Sequence, residues 1–295
     1  LLHDSMPIAS SPPQKHMYQV FVCVNTYVSS APISLLRSLP VQFGIPHPPA
    51  LWQGSMASSR EAHLYTLYFA PDNASLVVRV ALEEIGARYN TWLVDRGSNA
   101  QRGDDYRKLN PSGLIPVCII DGEPVFETAA ILLSLAERHE TLAPSPGSAQ
   151  RPGFLKWLFF LSNTLHADLR LLFYPAQYIG PDPGHVKVHA KVTRERLRRH
   201  FQVLENLYAE LKTPYLLGDE PTVMDIYAAL CLRWPQLYPR DEPPAFVPSL
   251  YPALREMLTT MERRPAIKRA FAAEGIAAPY LSKARPPDGT AGSAL

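Results

Sequence analysis

The segment from Asn110 to Ile131 constrains the fold more than any other part of the chain. Its centre, Val117–Ile120, is a short run of mostly β-branched residues, and Asp121-Gly122 after it is a strong signal for a two-residue hairpin turn. Pro116 precedes this run directly. Because proline has no N–H for the ladder, it fits a strand at its first residue or on an edge. The segment therefore predicts a loop, a strand, a tight turn, a second strand and a helix start.

The same segment predicts a binding site for a small peptide. If the Ile115-Pro116 bond is cis, the main-chain N–H and C=O of Ile115 turn outward and can pair with an extended ligand. Glu127 and Thr128 stand at the start of the next helix, where free N–H groups attract a carboxylate. A pairing edge beside an anion-binding helix start indicates a peptide with a free α-carboxylate and a free α-amine.

The composition is that of a globular protein without broad affinity for polyanions. The 295 residues suffice for one large or two ordinary domains, and a net charge of +2 gives little attraction to nucleic acid or anionic membranes. Cys23, Cys118 and Cys231 form no CxxC pair and predict buried thiols in a reducing compartment, without disulfides or a zinc site. No apolar run reaches the roughly 18 residues of a membrane helix. We therefore expect a cytoplasmic protein with no metal, nucleic-acid or membrane partner.

Hydrophobic periodicity predicts two domains of different class. The order of elements predicted for residues 61–140 is β-α-β-α-β-β-α, which gives a small mixed sheet with helices on its faces. The first of these helices is closed by Gly86, and the next two are expected at Gln101–Leu109 and Thr128–Arg138. Residues 141–150 have the composition of a linker, and residues 151–282 predict helices alone. The Pro- and Ser-rich residues 1–60 predict a disordered or non-native leader, and residues 283–295 a disordered tail. The helices expected in the second domain are Phe154–Phe173, Val186–Leu211, Thr222–Leu237, Pro252–Arg263 and Pro265–Glu274.

Three single features have a structural as well as a functional interpretation. Thr222 and Asp225 form a capping-box pattern at the start of an apolar helix, and their predicted role is folding. Ser75 follows the turn before the first helix, where it is either an N-cap or a hydroxyl that donates to a nearby thiolate. His166, on the long aromatic helix, is either structural or directed into a cleft.

Several separate stretches together resemble the cytosolic glutathione transferases, in particular the bacterial beta class. They are Leu64–Glu84, Gly103–Tyr106, Asn110–Val117, Thr164–His166, Thr222–Tyr227 and Arg263–Gly275. The resemblance implies an α/β thioredoxin-like N-terminal domain followed by an all-α C-terminal domain. It also implies a homodimer that uses glutathione as co-substrate.

The resemblance further implies a role for each matching residue. Ile115, beside a cis Pro116, pairs with the cysteinyl unit of glutathione. Glu127 takes the γ-glutamyl amine and Thr128 the γ-glutamyl carboxylate. The loop before the first helix faces the sulfur, and His166 points into the cleft.

The chain departs from the beta class at two positions. Ala74 stands where that class has a cysteine, and Ala167 where a basic residue commonly follows the histidine. We therefore expect a hydrogen-bonded thiolate, with Ser75 as the first candidate donor and Asn73 or Tyr68 as the next.

The expected reaction is conjugation of glutathione to a hydrophobic electrophile held against Phe173 and Tyr174. One alternative is a glutathione-dependent lyase, dehalogenase or peroxidase that uses the same sulfur on another substrate. The other is a non-catalytic binding protein on the same fold.

Overall fold

The computed structural model describes residues 65–287. The predictions for residues 1–60, for Cys23 and for residues 288–295 lie outside the described residues. The strands are β1 (Tyr65–Phe69), β2 (Tyr89–Leu93), β3 (Val117–Ile120) and β4 (Glu123–Phe126). The helices are α1 (Ser75–Ile85), α2 (Asp104–Leu109), α3 (Thr128–Arg138), α4 (Arg151–Phe160), α5 (His166–Phe173), α6 (Ala176–Ile179), α7 (Pro183–Ala209), α8 (Val223–Arg233), α9 (Pro252–Glu262) and α10 (Pro265–Ala272).

The four strands form the predicted mixed sheet in the order β2-β1-β3-β4. β1 pairs in parallel with β2 and antiparallel with β3, and β3 and β4 form the hairpin. Its turn residues, Asp121 and Gly122, have φ of 53° and 86°. Positive φ at both central residues is what a type I′ turn requires, and this turn matches the natural twist of the strands.

The helices α1 and α3 pack against this sheet and give it the thioredoxin-like arrangement. α1 buries Leu76, Val77 and Val80 fully. It ends at Gly86, whose φ of 72° is left-handed and whose N–H donates to the carbonyl of Leu82. Glycine adopts this conformation without a steric penalty, so it terminates the helix as predicted.

Two predicted helices are divided in the structure. The region predicted as one helix over Gln101–Leu109 is a 3₁₀ turn, Ala100–Arg102, then an extended Gly103, then α2. The region predicted as one helix over Phe154–Phe173 is α4 and α5 joined by a π-helical turn, Leu161–Leu165. A π turn adds one residue to the helical repeat and is frequent at functional sites. It ends here directly before His166.

The C-terminal part is helical throughout its regular elements, as predicted. α8 is its centre, because every residue of Val223–Arg233 is buried. The capping box is present: the Thr222 hydroxyl accepts from the N–H of Met224, and Asp225 accepts from the N–H of Thr222 at 2.8 Å.

The connection between α3 and α4 covers residues 139–150, in the region predicted as a linker. The start of the predicted tail is held in place: the N–H of Ala284 donates to Gln236 at 3.2 Å, and the carbonyl of Arg285 accepts from Arg233 at 2.6 Å. Cys118 and Cys231 are buried free thiols. Within residues 65–287 no helix is long and apolar enough to span a membrane, and no His, Cys, Asp and Glu cluster could hold a metal ion.

Candidate active site

The sheet domain and the helical domain pack as one unit, and a cavity of about 580 Å³ lies between them. Four parts of the chain form its walls: the loop before α1, the loop before β3, the start of α3, and helices α4, α5 and α8. The residues that line it include Asn73, Asn110, Ile115, Pro116, Glu127, Thr128, Phe159, His166, Arg170, Phe173, Tyr174, Tyr227, Trp234 and Tyr238. The cavity thus brings together the site residues selected from the sequence, with the exceptions of Ser75 and Tyr68.

The loop before β3 presents a free stretch of main chain to this cavity. The Ile115-Pro116 bond is cis. Among the described residues, neither the N–H nor the C=O of Ile115 has a hydrogen-bond partner. The preceding carbonyl, that of Leu114, is fixed by two donors, the Tyr106 hydroxyl at 2.9 Å and Asn110 Nδ2 at 2.7 Å. The anchored loop therefore leaves one unpaired donor and one unpaired acceptor at the cavity wall.

Gly113 is required in this loop for two reasons. Its φ of 63° lies in the left-handed region. A Cβ at this position would lie 2.9 Å from the carbonyl oxygen of Gln101. A larger residue would strain the backbone and also push apart the two segments that position Leu114.

The start of α3 is an anion-binding helix terminus that faces the cavity. Thr128, Ala129 and Ala130 all line it, and within the described residues their N–H groups donate to no main-chain carbonyl. Glu127 precedes them with a φ of 70°, an unusual conformation for a residue with a side chain. Such conformations cost roughly 1–3 kcal/mol and are found at ligand clamps. The helix dipole, the free N–H donors and the strained conformation of Glu127 together favour a bound carboxylate at this helix start.

Ser75 does not reach the cavity, contrary to the prediction that it faces the sulfur. Its side chain is fully buried. The hydroxyl donates to the carbonyl of Ala70 at 3.0 Å and accepts from the N–H of Ala70 at 3.2 Å. It is not the N-cap either, because that position is Ala74. Ser75 therefore closes the turn before α1 and has no hydrogen-bonding capacity directed at a ligand.

Asn73 is the residue of this loop that presents a donor to the cavity. Its Oδ1 accepts from the N–H of Ala74 at 2.8 Å, and its carbonyl accepts from the N–H of Leu76 at 2.8 Å. Because Oδ1 is engaged, the amide Nδ2 is the group left for a ligand. Tyr68, the third candidate, is buried under Trp92 and Tyr106 and does not line the cavity.

His166 lies in the helical wall as a neutral imidazole. Burial and the nearby Arg170 guanidinium lower the pKa of His166 from 6.5 to about 4. Its Nδ1 lies 2.7 Å from the Tyr227 hydroxyl, and its ring lies 5.2 Å from that of Trp234. Burial keeps the pKa of Tyr227 well above its ordinary value, so this phenol retains a proton that it can donate to Nδ1. When the phenol donates, the imidazole carries its proton on Nε2.

Tyr227 lines the cavity together with Thr128 of the sheet domain. The Thr128 side chain opposes part of the rise that burial causes in the pKa of Tyr227. The helical wall is otherwise aromatic: Phe173 and Tyr174 lie where the sequence predicted, with ring centroids 6.4 Å apart, and Phe159 and Trp234 join them. This wall is suited to flat apolar ligands.

Sequence reasoning missed further residues of the cavity, among them Arg170, Tyr227, Trp234 and Tyr238. Arg170 follows His166 by one helical turn, but periodicity alone assigns it no role. Tyr227 belongs to a helix that is buried all round, and such a pattern does not separate core residues from cavity residues. Trp234 and Tyr238 follow the end of that helix and reach the cavity through tertiary packing alone.

Two family models match the chain. The model of the glutathione S-transferase N-terminal domain matches residues 74–138, and that of the C-terminal domain matches residues 167–274. Glutathione S-transferase 3 of Zea mays is 30% identical over 232 residues, which cover 75% of this chain and 98% of that protein. Both domains and their order are thus those of one family.

Solved structures agree in sequence and in fold. A sphingomonad glutathione S-transferase complexed with glutathione is 31% identical, with a TM-score of 0.60 over 72% of this chain and 100% of its own. A beta class glutathione S-transferase of Sphingomonas chungbukensis is 30% identical, with a TM-score of 0.59 over 71% of this chain and 98% of its own. The chain therefore belongs to the glutathione S-transferase family, and its structural neighbours include the bacterial beta class that the sequence resembles.

Proposed function

We propose that this protein binds glutathione in the cavity and transfers its thiolate to a hydrophobic electrophile. The observation that carries the proposal is the pairing of two ligand-binding features on one cavity. The unpaired main chain of Ile115 and the free N–H groups at the start of α3 both line it, and Glu127 lies directly before those N–H groups. A peptide with an α-amine and an α-carboxylate at the same end matches this arrangement.

The recognition of glutathione follows from these groups. Its γ-glutamyl carboxylate accepts from the N–H groups at Thr128–Ala130, and its amine is placed against the Glu127 carboxylate. The cysteinyl unit pairs with the N–H and C=O of Ile115. The sphingomonad relative crystallised with glutathione supports this choice of ligand.

The thiol is activated by a hydrogen bond from Asn73 Nδ2, in place of the hydroxyl of Ser75. Asn73 lies two residues before α1, next to the N-cap Ala74, and the positive end of the helix dipole favours an anion near that position. His166 is not a counter-charge, because a group with a pKa of about 4 is neutral at physiological pH. Its Nε2, which has no hydrogen-bond partner among the described residues, is a neutral donor on the opposite wall.

The reaction is a nucleophilic substitution or addition. The thiol proton leaves to solvent, the sulfur donates its electron pair to an electrophilic carbon, and in a substitution the leaving group departs as an anion. The aromatic wall of Phe159, Phe173 and Tyr174 holds the electrophile. Because an apolar wall discriminates by about 1–3 kcal/mol per group, we expect a loose preference among apolar substrates.

The first test is calorimetric titration with glutathione, followed by conjugation of 1-chloro-2,4-dinitrobenzene. We expect binding at millimolar concentration or tighter, and conjugation that falls at least tenfold in Asn73→Ala. Absence of binding would remove every glutathione-dependent function. Binding without conjugation, with a hydroperoxide and a β-aryl ether also unreactive, would favour the non-catalytic binding protein. Reaction with one of those two substrates alone would favour the peroxidase or the lyase.

We also propose that the protein is a cytoplasmic homodimer with a role in detoxification, as is usual in this family. Exposed apolar side chains such as Phe126, on the outer strand β4, support the dimer. Light scattering should give twice the mass of the 32.9 kDa chain. A monomeric mass at micromolar concentration would overturn the dimer and leave the enzymatic proposal intact.

A further inference from the structure

Among the described side chains that line the cavity, Arg170 is the only lysine or arginine. It lies on α5, one helical turn after His166, and is partly exposed. Its Nε donates to the Tyr178 hydroxyl at 3.2 Å, and its guanidinium carbon lies 5.7 Å from the centre of the Tyr174 ring. These two contacts hold the guanidinium in place without using its terminal nitrogens.

Within residues 65–287, Arg170 has no carboxylate partner. Several other buried or partly buried arginines of this protein do have one: Arg151 pairs with Glu137, Arg194 with Glu242 and Arg264 with Glu84. The contrast indicates that the carboxylate expected at Arg170 comes from a ligand.

Neither acidic side chain of the described cavity wall is bonded to Arg170. Asp72 forms a buried ion pair with Arg233. Glu127 stands at the start of α3, where the proposed function places the amine of glutathione. His166 carries no positive charge. Among the described residues of the helical wall, Arg170 is therefore the positively charged one. That wall is also where the aromatic side chains are grouped.

We infer that Arg170 binds a carboxylate in the cavity and selects aromatic acids among the electrophiles that the protein conjugates. This inference rests on the proposed function and names the class of its second substrate. A guanidinium binds a carboxylate through two parallel N–H bonds, and the ring of the acid packs on Phe173 and Tyr174. The reaction itself is unchanged: the sulfur forms a bond to the ring carbon, and chloride leaves with the bonding electrons.

A matched pair of substrates isolates this contact. 4-Chloro-3,5-dinitrobenzoate and its methyl ester lose chloride in the same substitution but differ in charge. In the wild type we expect a kcat/KM advantage for the acid after correction for the uncatalysed rates. In Arg170→Gln we expect a loss of about tenfold or more for the acid, the size of one charge-assisted hydrogen bond, and less than about threefold for the ester. Arg170→Lys should restore part of the loss.

Arg199→Gln is the matched control, because it removes the same charge from an exposed position on α7. Its kinetics should equal those of the wild type with both substrates. Retained activity of Arg170→Gln toward the ester shows that this variant folds. Equal losses toward acid and ester would overturn the inference, since they would mean a structural role.

Two further measurements show which carboxylate Arg170 binds and whether the contact forms without catalysis. Glutathione also has a glycyl carboxylate, so each assay is repeated with glutathione esterified at that group. If the effect of Arg170→Gln disappears with this ester, Arg170 binds glutathione and the inference is wrong. Binding of unreactive 3,5-dinitrobenzoate by calorimetry tests the contact without any conjugation. Its weakening in Arg170→Gln would support the inference even if the transferase reaction failed, and equal binding would contradict it.

Discussion

Asp72 and Arg233 form a bidentate ion pair in the interior of the protein although 161 residues separate them in sequence. Nε and Nη2 of the arginine donate to the two carboxylate oxygens at 2.8 and 3.0 Å, and both side chains are fully buried. The Tyr238 hydroxyl donates to the same carboxylate at 3.0 Å. Asp72 adjoins Asn73, so the helical domain fixes the loop that presents the proposed thiolate donor.

Replacing Asp72 with alanine should destabilise the protein by about 3–5 kcal/mol, because it leaves a buried arginine without its counter-charge. Urea denaturation measures this change. Asp105→Ala is the control: its ion pair with Lys108 is exposed, with 86% of the Asp105 side chain accessible. That variant should unfold at nearly the wild-type midpoint. Similar midpoints for both variants would show that Arg233 finds another partner.

Glu274 should make the stability depend on pH. Burial raises the pKa of this carboxyl from 4.5 to about 7, although Arg79 and the N–H of Asp72 oppose the rise. Between these two values the folded protein binds more protons at Glu274 than the unfolded chain does, so stability falls as the pH rises from 4.5 to 7. The total contribution is roughly 3 kcal/mol.

Comparison with Glu274→Gln tests this, because glutamine does not titrate. The stability of the wild type relative to the variant should decrease by roughly 3 kcal/mol over that interval. His166 contributes a dependence of opposite sign, since its pKa is lowered, but it does so in both proteins and cancels. A relative stability that increases with pH would mean that the ion pair with Arg79 outweighs burial.

Asp225 should contribute more stability than a capping box alone. Its carboxylate accepts from the N–H and the hydroxyl of Thr222, and also from the N–H of Leu216 and the hydroxyl of Tyr208, both at 3.0 Å. Burial still raises its pKa. Asp225→Ala leaves these donors unpaired, so we expect a loss of about 3–5 kcal/mol, against roughly 1 kcal/mol for a simple cap. Thermal denaturation measures this loss. Tyr208→Phe removes only one of the four donors, so its loss of stability should be smaller than that of Asp225→Ala.

Local sequence predicted the parts of this fold that depend on neighbouring residues. The bounds of α3, the Asp121-Gly122 turn and the Thr222 capping box all follow from patterns within a few residues, and each is confirmed. The additional partners of Asp225 and the ion pair of Asp72 are absent from such patterns, because they form between distant segments. The prediction for Ser75 was wrong for a related reason. A serine at the start of a helix can form several different hydrogen bonds, and packing decides which of them forms.

Ser75→Ala should separate folding from chemistry. The substitution removes both hydrogen bonds to Ala70, so we expect a loss of about 1–3 kcal/mol in the free energy of unfolding. The kcat for conjugation should stay within about twofold, since Ser75 does not line the cavity. Measured at a temperature where both proteins are folded, a tenfold decrease in kcat would restore Ser75 as the thiolate donor and displace Asn73.

Tyr106 should affect glutathione affinity without touching the ligand. Its hydroxyl and Asn110 together hold the carbonyl of Leu114, and the next residue, Ile115, is the proposed pairing partner of the cysteinyl unit. Loss of one such hydrogen bond costs roughly 0.5–1.5 kcal/mol, so Tyr106→Phe should raise the KM for glutathione about two- to tenfold with kcat nearly constant. Tyr89→Phe is the control, because its hydroxyl donates to Glu83 away from the cavity. If kcat falls while KM stays constant, Tyr106 acts on the transition state. That result would contradict the prediction that Tyr106 affects glutathione binding by anchoring the Leu114 carbonyl.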